Sequence, residues 1–240
     1  AFKLGNLSKT KTKINAIKNY EENTDLTIEY VYSSPSVLNN GSNAISDGRN
    51  VSIKVHHSLI AIPENDYKIR LDDPRVGYFT TQVDDQTSTS GTPYRDLIHR
   101  WHLKKKNPEA ELSEPIEPIT WWIENSTPFE WRETIKEGVL QWNIAFEKAG
   151  FKNAIEVKVQ PDDADWDAGD IRYNVLRWTS SPKPPFGGYG PSFVNPKTGQ
   201  ILGADIMLEY LHFTNRVFYD RVFGSASSSN SKEHIEYNKN

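Results

Sequence analysis

The sequence predicts an α+β protein, with a β-rich N-terminal region over residues 1–113 and a mixed sheet carrying one long packed helix over residues 114–240. Three observations predict it. Leu26–Tyr32 and Val51–Ile62 are rich in β-branched and aromatic residues, and in the second run Val51, Ile53 and Val55 alternate with Ser52, Lys54 and His56, the period of a half-buried strand. Trp131, Ile135, Val139, Trp142 and Phe146 recur every three or four residues, the stripe of a helix laid on a core. Short apolar runs bounded by turn residues surround that helix in the order β-α-β-β-β-β.

Residues 1–20 are basic and polar, with five lysines between Lys3 and Lys18, and read as a loose arm or a short helix around Ile14–Ile17. The strands at Leu26–Tyr32 and Val51–Ile62 are expected to pair, and the Ser-, Asn-, Pro- and Gly-rich stretch Ser33–Asn50 between them reads as a long surface loop. Tyr67–Leu71, Gly77–Val83 and Arg100–Lys104 read as further strands, and Asp84–Pro93 as a polar loop. Lys105–Pro118, with three prolines and several acidic residues, reads as a linker, which places a boundary near Ser113.

The second region opens on a strand, Ile119–Ile123, followed by Ser126-Thr127-Pro128-Phe129-Glu130. Thr127 suits an N-cap, Pro128 the first helical position and Glu130 the reciprocal capping carboxylate, while Gly150 suits the C-terminal cap. Ile155–Val159 and Ile171–Trp178 read as strands. Tyr189–Val194 and Ile201–Leu208 flank Asn195-Pro196-Lys197-Thr198-Gly199, a turn that makes them a hairpin. A helix is expected beyond Glu209 through Val222, and the Ser-, Asn- and Lys-rich tail from Ser225 onward has too few apolar residues to build a core.

Composition removes whole classes of function. A formal charge of −4 and a pI near 5.9 supply no basic field for nucleic acid or anionic lipid. Without cysteine there is no disulfide, no thiolate zinc site and no thiol nucleophile. No apolar run approaches the roughly 20 residues that span a membrane, and the first residues lack the apolar core of a signal peptide. The chain is therefore expected to begin after a processing point or within a longer protein.

Several blocks resemble one family in the same order: Arg70-Leu71-Asp72-Asp73-Pro74-Arg75-Val76-Gly77-Tyr78-Phe79, then Trp142-Asn143-Ile144-Ala145-Phe146-Glu147-Lys148-Ala149-Gly150-Phe151. Asp163-Ala164-Asp165 leading to Asp170-Ile171-Arg172-Tyr173-Asn174-Val175, and Tyr189-Gly190-Pro191-Ser192 leading to Asn195–Gly199, continue the match. They are similar to large secreted bacterial zinc-dependent metalloproteases. The resemblance implies a β-rich region before a metzincin-like catalytic domain, a secreted or cell-envelope location, a peptide or protein substrate, and a downstream helix bearing H-E-x-x-H. On such a helix two histidines one turn apart bind Zn²⁺ and the glutamate works on the metal-bound water. The motif is absent from these residues: the six histidines are His56, His57, His99, His102, His212 and His234. Residues 114–240 are thus expected to be the upper subdomain of the catalytic domain, incomplete and inactive alone, with no catalytic or metal-ligating residue and no zinc of its own. The remainder of the catalytic domain would be its partner.

By the same resemblance Gly188, Tyr189, Gly190, Pro191 and Ser192 look like an edge strand on which a substrate peptide pairs through its main chain; a simple hairpin arm is the equal alternative. His99-x-x-His102 and His56-His57 offer metal ligands only if helical, and in strands each pair diverges to opposite faces. Asp163, Asp165 and Asp167 with Gly169 imitate a calcium loop, but the glycine falls one position late and Asn174 stands where the closing carboxylate belongs, which favours a solvated turn. Gly187–Gly190 lacks the lysine of a phosphate loop. Trp131 and Trp142 are expected in the core, and Arg75 and Arg172 in ion pairs. A non-catalytic binding module of the same fold is the rival reading, and a carbohydrate-binding module using exposed tryptophans, among Trp121, Trp122, Trp131 and Trp142, a third.

Overall fold

The computed structural model describes residues 4–35, 48–181, 184 and 186–227. It is α+β, and the chain forms two compact units, residues 1–65 with 169–172, and residues 66–168 with 173–240. Ser36–Asp47 within the expected loop and the tail beyond Ser227 lie outside the described residues.

The first unit is a four-stranded sheet built on β3 (Asn23–Ser33). β4 (Asn50–Ile60) pairs with it antiparallel in one unbroken register, from Asn23 opposite Ile60 to Ser33 opposite Asn50, as the two β-rich runs require. On its other side β3 carries β2 (Lys13–Asn19) and β1 (Asn6–Leu7) end to end. The basic segment is therefore neither loose nor helical. Every residue of β2 is exposed, so the ladder with β3, and not an apolar face, holds it extended. At the base of β3 the buried Asn23 amide donates to Gly169 O at 2.8 Å and accepts from the Ile171 N–H at 3.1 Å. Buried polar groups of this kind fix one geometry because any other leaves them unpaired.

The second unit centres on a five-stranded sheet. Four of its strands, β7 (Ile119–Ile123), β8 (Ile155–Val159), β9 (Asn174–Thr179) and β13 (Ile206–Glu209), are parallel, and β10 (Gly188–Tyr189) is the antiparallel edge. Across the sheet the order is β10-β13-β9-β7-β8. Ile119, Trp121, Ile123, Ile155 and Leu176 form the buried core, against which Ile135, Val139 and Phe146 pack as the helical stripe foresees. Each such side chain taken fully from water contributes about 1.5–3 kcal/mol.

The helix itself differs from expectation at both ends and in the middle. α1 (Phe129–Leu140) starts after Pro128, and no side chain caps it. Thr127 is buried in a turn, its N–H bonded to Glu124 O, while Arg132 ties the approach by donating to Thr127 O at 2.8 Å and Asn125 O at 2.7 Å. The helix is interrupted at Gln141–Trp142 before α2 (Asn143–Lys148), and this turns Trp142 outward, 65% exposed, instead of into the core. Gly150 closes α2 with φ +89°, the Phe151 N–H reaching Phe146 O and the Gly150 N–H reaching Glu147 O, a Schellman cap.

The residues before β7 also depart from the sequence reading. The strand pair is β5 (Thr80–Asp84) with β6 (Tyr94–Ile98), whereas Tyr67–Leu71 makes one isolated bridge, at Leu71. Arg100–Lys104 forms no strand of its own: Arg100 makes one parallel bridge to Gln200, its N–H donating to Gly199 O and its C=O accepting from the Ile201 N–H, and Trp101 and Leu103 pack on the core. The linker read at Lys105–Pro118 is tied to the second unit: the Ser113 N–H donates to Gly150 O, the Lys152 N–H to Ser113 O, and Lys105 Nζ to the carbonyls of Ala110 and Glu111.

β11 (Ser192–Val194) pairs with β12 (Ile201–Ala204) across the expected turn, where Gly199 has φ +79° and any Cβ would lie 2.4 Å from Ile98 O. α3 (Tyr210–Ser227) follows β13 directly, stacks Phe213 on Trp178 and sets it tilted against Trp131. No helix among the described residues is long and apolar enough to cross a membrane.

Candidate functional site

The expected edge segment lies at an edge of the main sheet. Gly188 pairs with Leu208 and Tyr189 with Met207, and the same register resumes at Ser192 with Ala204. The Glu209 N–H donates to Gly187 O and the Asp205 N–H to Pro191 O, so Gly187, Tyr189 and Pro191 face the neighbouring strand. In an antiparallel ladder the alternate residues face the other way. Gly188, Gly190 and Ser192 therefore point their main-chain N–H and C=O outward, and among the described residues no strand pairs on that side. Pro191 has no N–H to give, which explains why the ladder lapses between β10 and β11.

Two buried acids border this arm, each bonding the arm through its backbone N–H and the β9 region through its carboxyl, and neither was singled out in the sequence. Glu209, 1% exposed, accepts from the Ser181 N–H at 2.7 Å, from Ser181 Oγ at 3.0 Å and from Thr179 Oγ1 at 3.0 Å. The Ser181 N–H bond is the main reason its carboxyl stays below the usual glutamate range. Its backbone N–H holds Gly187, so one residue fixes the end of β9 and the start of the arm. Asp205 sits where the ladder lapses, and burial pushes its carboxyl up to about 6 against the opposing bond from the Val175 N–H and the charge of Arg177; the charge of Glu124 adds to the rise. The only sequence sign of either residue is an acid amid the apolar Ile201–Leu208 run and its end.

The other candidates are accounted for by local partners. His99 Nε2 meets Thr81 Oγ1 at 2.8 Å, His102 Nε2 meets Asp66 at 3.4 Å, His56 Nε2 meets Asp25 at 3.1 Å and His57 meets the Tyr30 hydroxyl at 3.1 Å. The side chain of His212 and all of His234 lie outside the described residues. Arg75 grips Asp73, and Arg172 grips Asp170 and Glu21. Trp122 sits edge-on to Trp166 and Tyr173, whose rings stack 3.7 Å apart, so these faces are spent on one another. Among the described residues no three His, Asp or Glu converge as a metal site, Asp163, Asp165 and Asp167 included.

The family described as Domain of unknown function (DUF5117) matches residues 1–106. No curated protein and no solved structure matches the chain.

Proposed function

We propose that this chain is the sheet-bearing part of a larger secreted or cell-envelope zinc-dependent metallopeptidase, in which residues 114–240 form the metzincin-like upper subdomain. Its role is to present Gly188–Ser192 to an extended peptide substrate; the zinc ligands and the catalytic glutamate come from elsewhere in the polypeptide. The observation that carries this reading is the segment Gly188–Ser192, in which antiparallel β10 edges an otherwise parallel sheet and leads into β11, with Gly188, Gly190 and Ser192 as outward main-chain positions. Edge addition is a recurring way to bind an extended peptide, with main-chain bonds giving affinity and side-chain pockets giving specificity. A second support is α3, where Val217, Phe218, Tyr219, Val222 and Phe223 are all at least 45% exposed, an apolar surface that the remainder of a catalytic domain would cover.

The test is to extend the coding sequence beyond Asn240 and assay the longer protein. H-E-x-x-H is expected within roughly a hundred residues, since the ligand helix follows the sheet. The longer protein is expected to hold one zinc per chain by elemental analysis, to cleave peptides and to lose that activity on chelation. The 240-residue chain is expected to do neither. A stop codon directly after Asn240, or stoichiometric zinc in the present chain, overturns the proposal. The stop codon would favour a non-catalytic binding module that uses the same edge.

A further inference from the structure

Resting on the reading of Gly188–Ser192 as a peptide-pairing edge, we infer that this edge selects peptides with large apolar side chains at alternate positions, those that lie opposite Gly188 and Gly190. In a β ladder, residues directly opposite one another put their side chains on the same face. The face of Gly188, Gly190 and Ser192 is that of their register partners Leu208, Ile206 and Ala204. A bound peptide therefore sends every second side chain over that face.

The two glycines leave room there. Neither has a positive φ, unlike Gly5, Gly150 and Gly199, so φ does not demand glycine at 188 or 190. What their absent side chains provide is a low strip close to the neighbouring strand: a Cβ at Gly190 would lie 3.5 Å from Ile206 Cγ1, and one at Gly188 3.3 Å from Met207 O. A peptide side chain crossing the strip reaches Leu208 and Ile206, both half-buried, and none of the six residues on this face is charged. A large apolar group removes the exposed part of that floor from water, whereas a lysine or glutamate finds no counter-charge. On the opposite face the intervening residues meet Tyr189, 54% exposed and packed on Phe186. There a large ring stands where the first face has two glycines, so preference should concentrate on one set of alternate positions.

The experiment uses the whole 240-residue chain and three heptapeptides of one backbone sequence, carrying Leu, Ala or Lys at the third and fifth positions. Titration calorimetry reads affinity, and amide shifts of Gly188, Gly190 and Ser192 read location. The Leu peptide is expected to bind at least tenfold more tightly than the Ala peptide, and the Lys peptide no better than Ala. Gly190→Val, which fills the strip, is expected to remove most of the Leu advantage while the Ala peptide still shifts the same amides. Equal binding of Leu and Ala peptides by the wild-type chain overturns the inference and leaves the edge reading standing. If no peptide binds and no edge amide shifts, both fall. Because the peptide series is read on the unaltered chain, a misfolded Gly190→Val protein does not spoil the test.

Discussion

The two edges of the five-stranded sheet are treated in opposite ways. At the β8 edge the main-chain N–H and C=O groups of Ile155, Val157 and Val159 face outward, since Ala154 O and the Gln160 N–H bond inward to β7. The first of these outward positions is occupied by a side chain imitating a strand: Asn143 Nδ2 donates to Ile155 O at 3.0 Å, and the Ile155 N–H donates to Asn143 Oδ1 at 2.9 Å. Beside it the Glu156–Lys158 pair and a groove of about 410 Å³ lined partly by Lys106, Glu114 and Asn153 make the border polar and charged. Along β10 and on to the start of β11 the outward positions are two glycines and a serine, with no such plug among the described residues. An open edge invites pairing with another chain, and proteins commonly blunt it. One edge of this sheet is plugged at its first outward position and the other is not, and the proposed peptide-pairing edge rests on that contrast.

Both edges hang on one core, so the largest effect comes from a change that spares neither. Ile123 is fully buried at the centre of the sheet, in β7. Ile123→Ala is expected to cost about 2–5 kcal/mol in urea unfolding, through lost burial and the cavity left behind. Protection of amides in β8 and β13 should fall together. Loss confined to one edge would mean that the edges are not built on a shared core.

Next in size is a change specific to the open edge. The Asp205 carboxyl, pushed up to about 6 from 3.8, holds its proton more tightly in the folded chain than in the unfolded one. The stabilisation it gives is complete below about pH 4 and is lost as pH rises through about 6. Asp205→Asn mimics the protonated form and keeps an acceptor for the Val175 N–H. Each tenfold difference in proton affinity between the folded and unfolded chain is worth about 1.4 kcal/mol, so relative to wild type the variant is expected to gain about 2–3 kcal/mol at pH 7.5 and nothing near pH 4. Thermal unfolding of the two proteins across that range is the measurement; parallel curves would show that Asp205 does not titrate between them.

Local chemistry made much of this arrangement legible in the sequence, and long-range partnership hid the rest. Gly150 and Gly199 announced a cap and a turn because both need a positive φ. The β3–β4 pair and the stripe Ile135–Val139–Phe146 were visible because their apolar period faces a neighbour. Lys13–Asn19 showed no such period, since both its faces are wet and only the ladder to β3 orders it. Trp142 matched the stripe but was turned outward by the break in the helix. Of the site, the edge segment was found by resemblance, while Glu209, Asp205 and Asn143 were not. Each acts on main chain that is 12 or more residues away, and no local pattern encodes that distance.

The smallest stability effect should be the most specific to the comparison. Asn143→Ala removes the plug from the β8 edge without touching the core cluster, leaving the Ile155 N–H and C=O without their side-chain partner. Two lost part-buried bonds, partly replaced by water, predict a cost of about 1–2 kcal/mol. The more telling readout is association. With β8 unplugged the sheet has two open edges instead of one, and the Asn143→Ala chain is expected to form concentration-dependent oligomers in sedimentation velocity under conditions where the wild type does not gain mass. Asn143→Asp separates the two roles, because a carboxylate accepts from the Ile155 N–H but repels Ile155 O and brings charge to the border. It should be destabilised yet remain dispersed. If Asn143→Ala loses stability and stays dispersed as well, the amide serves only to fasten α2 to β8, and the contrast between a guarded and an open edge loses its physical basis.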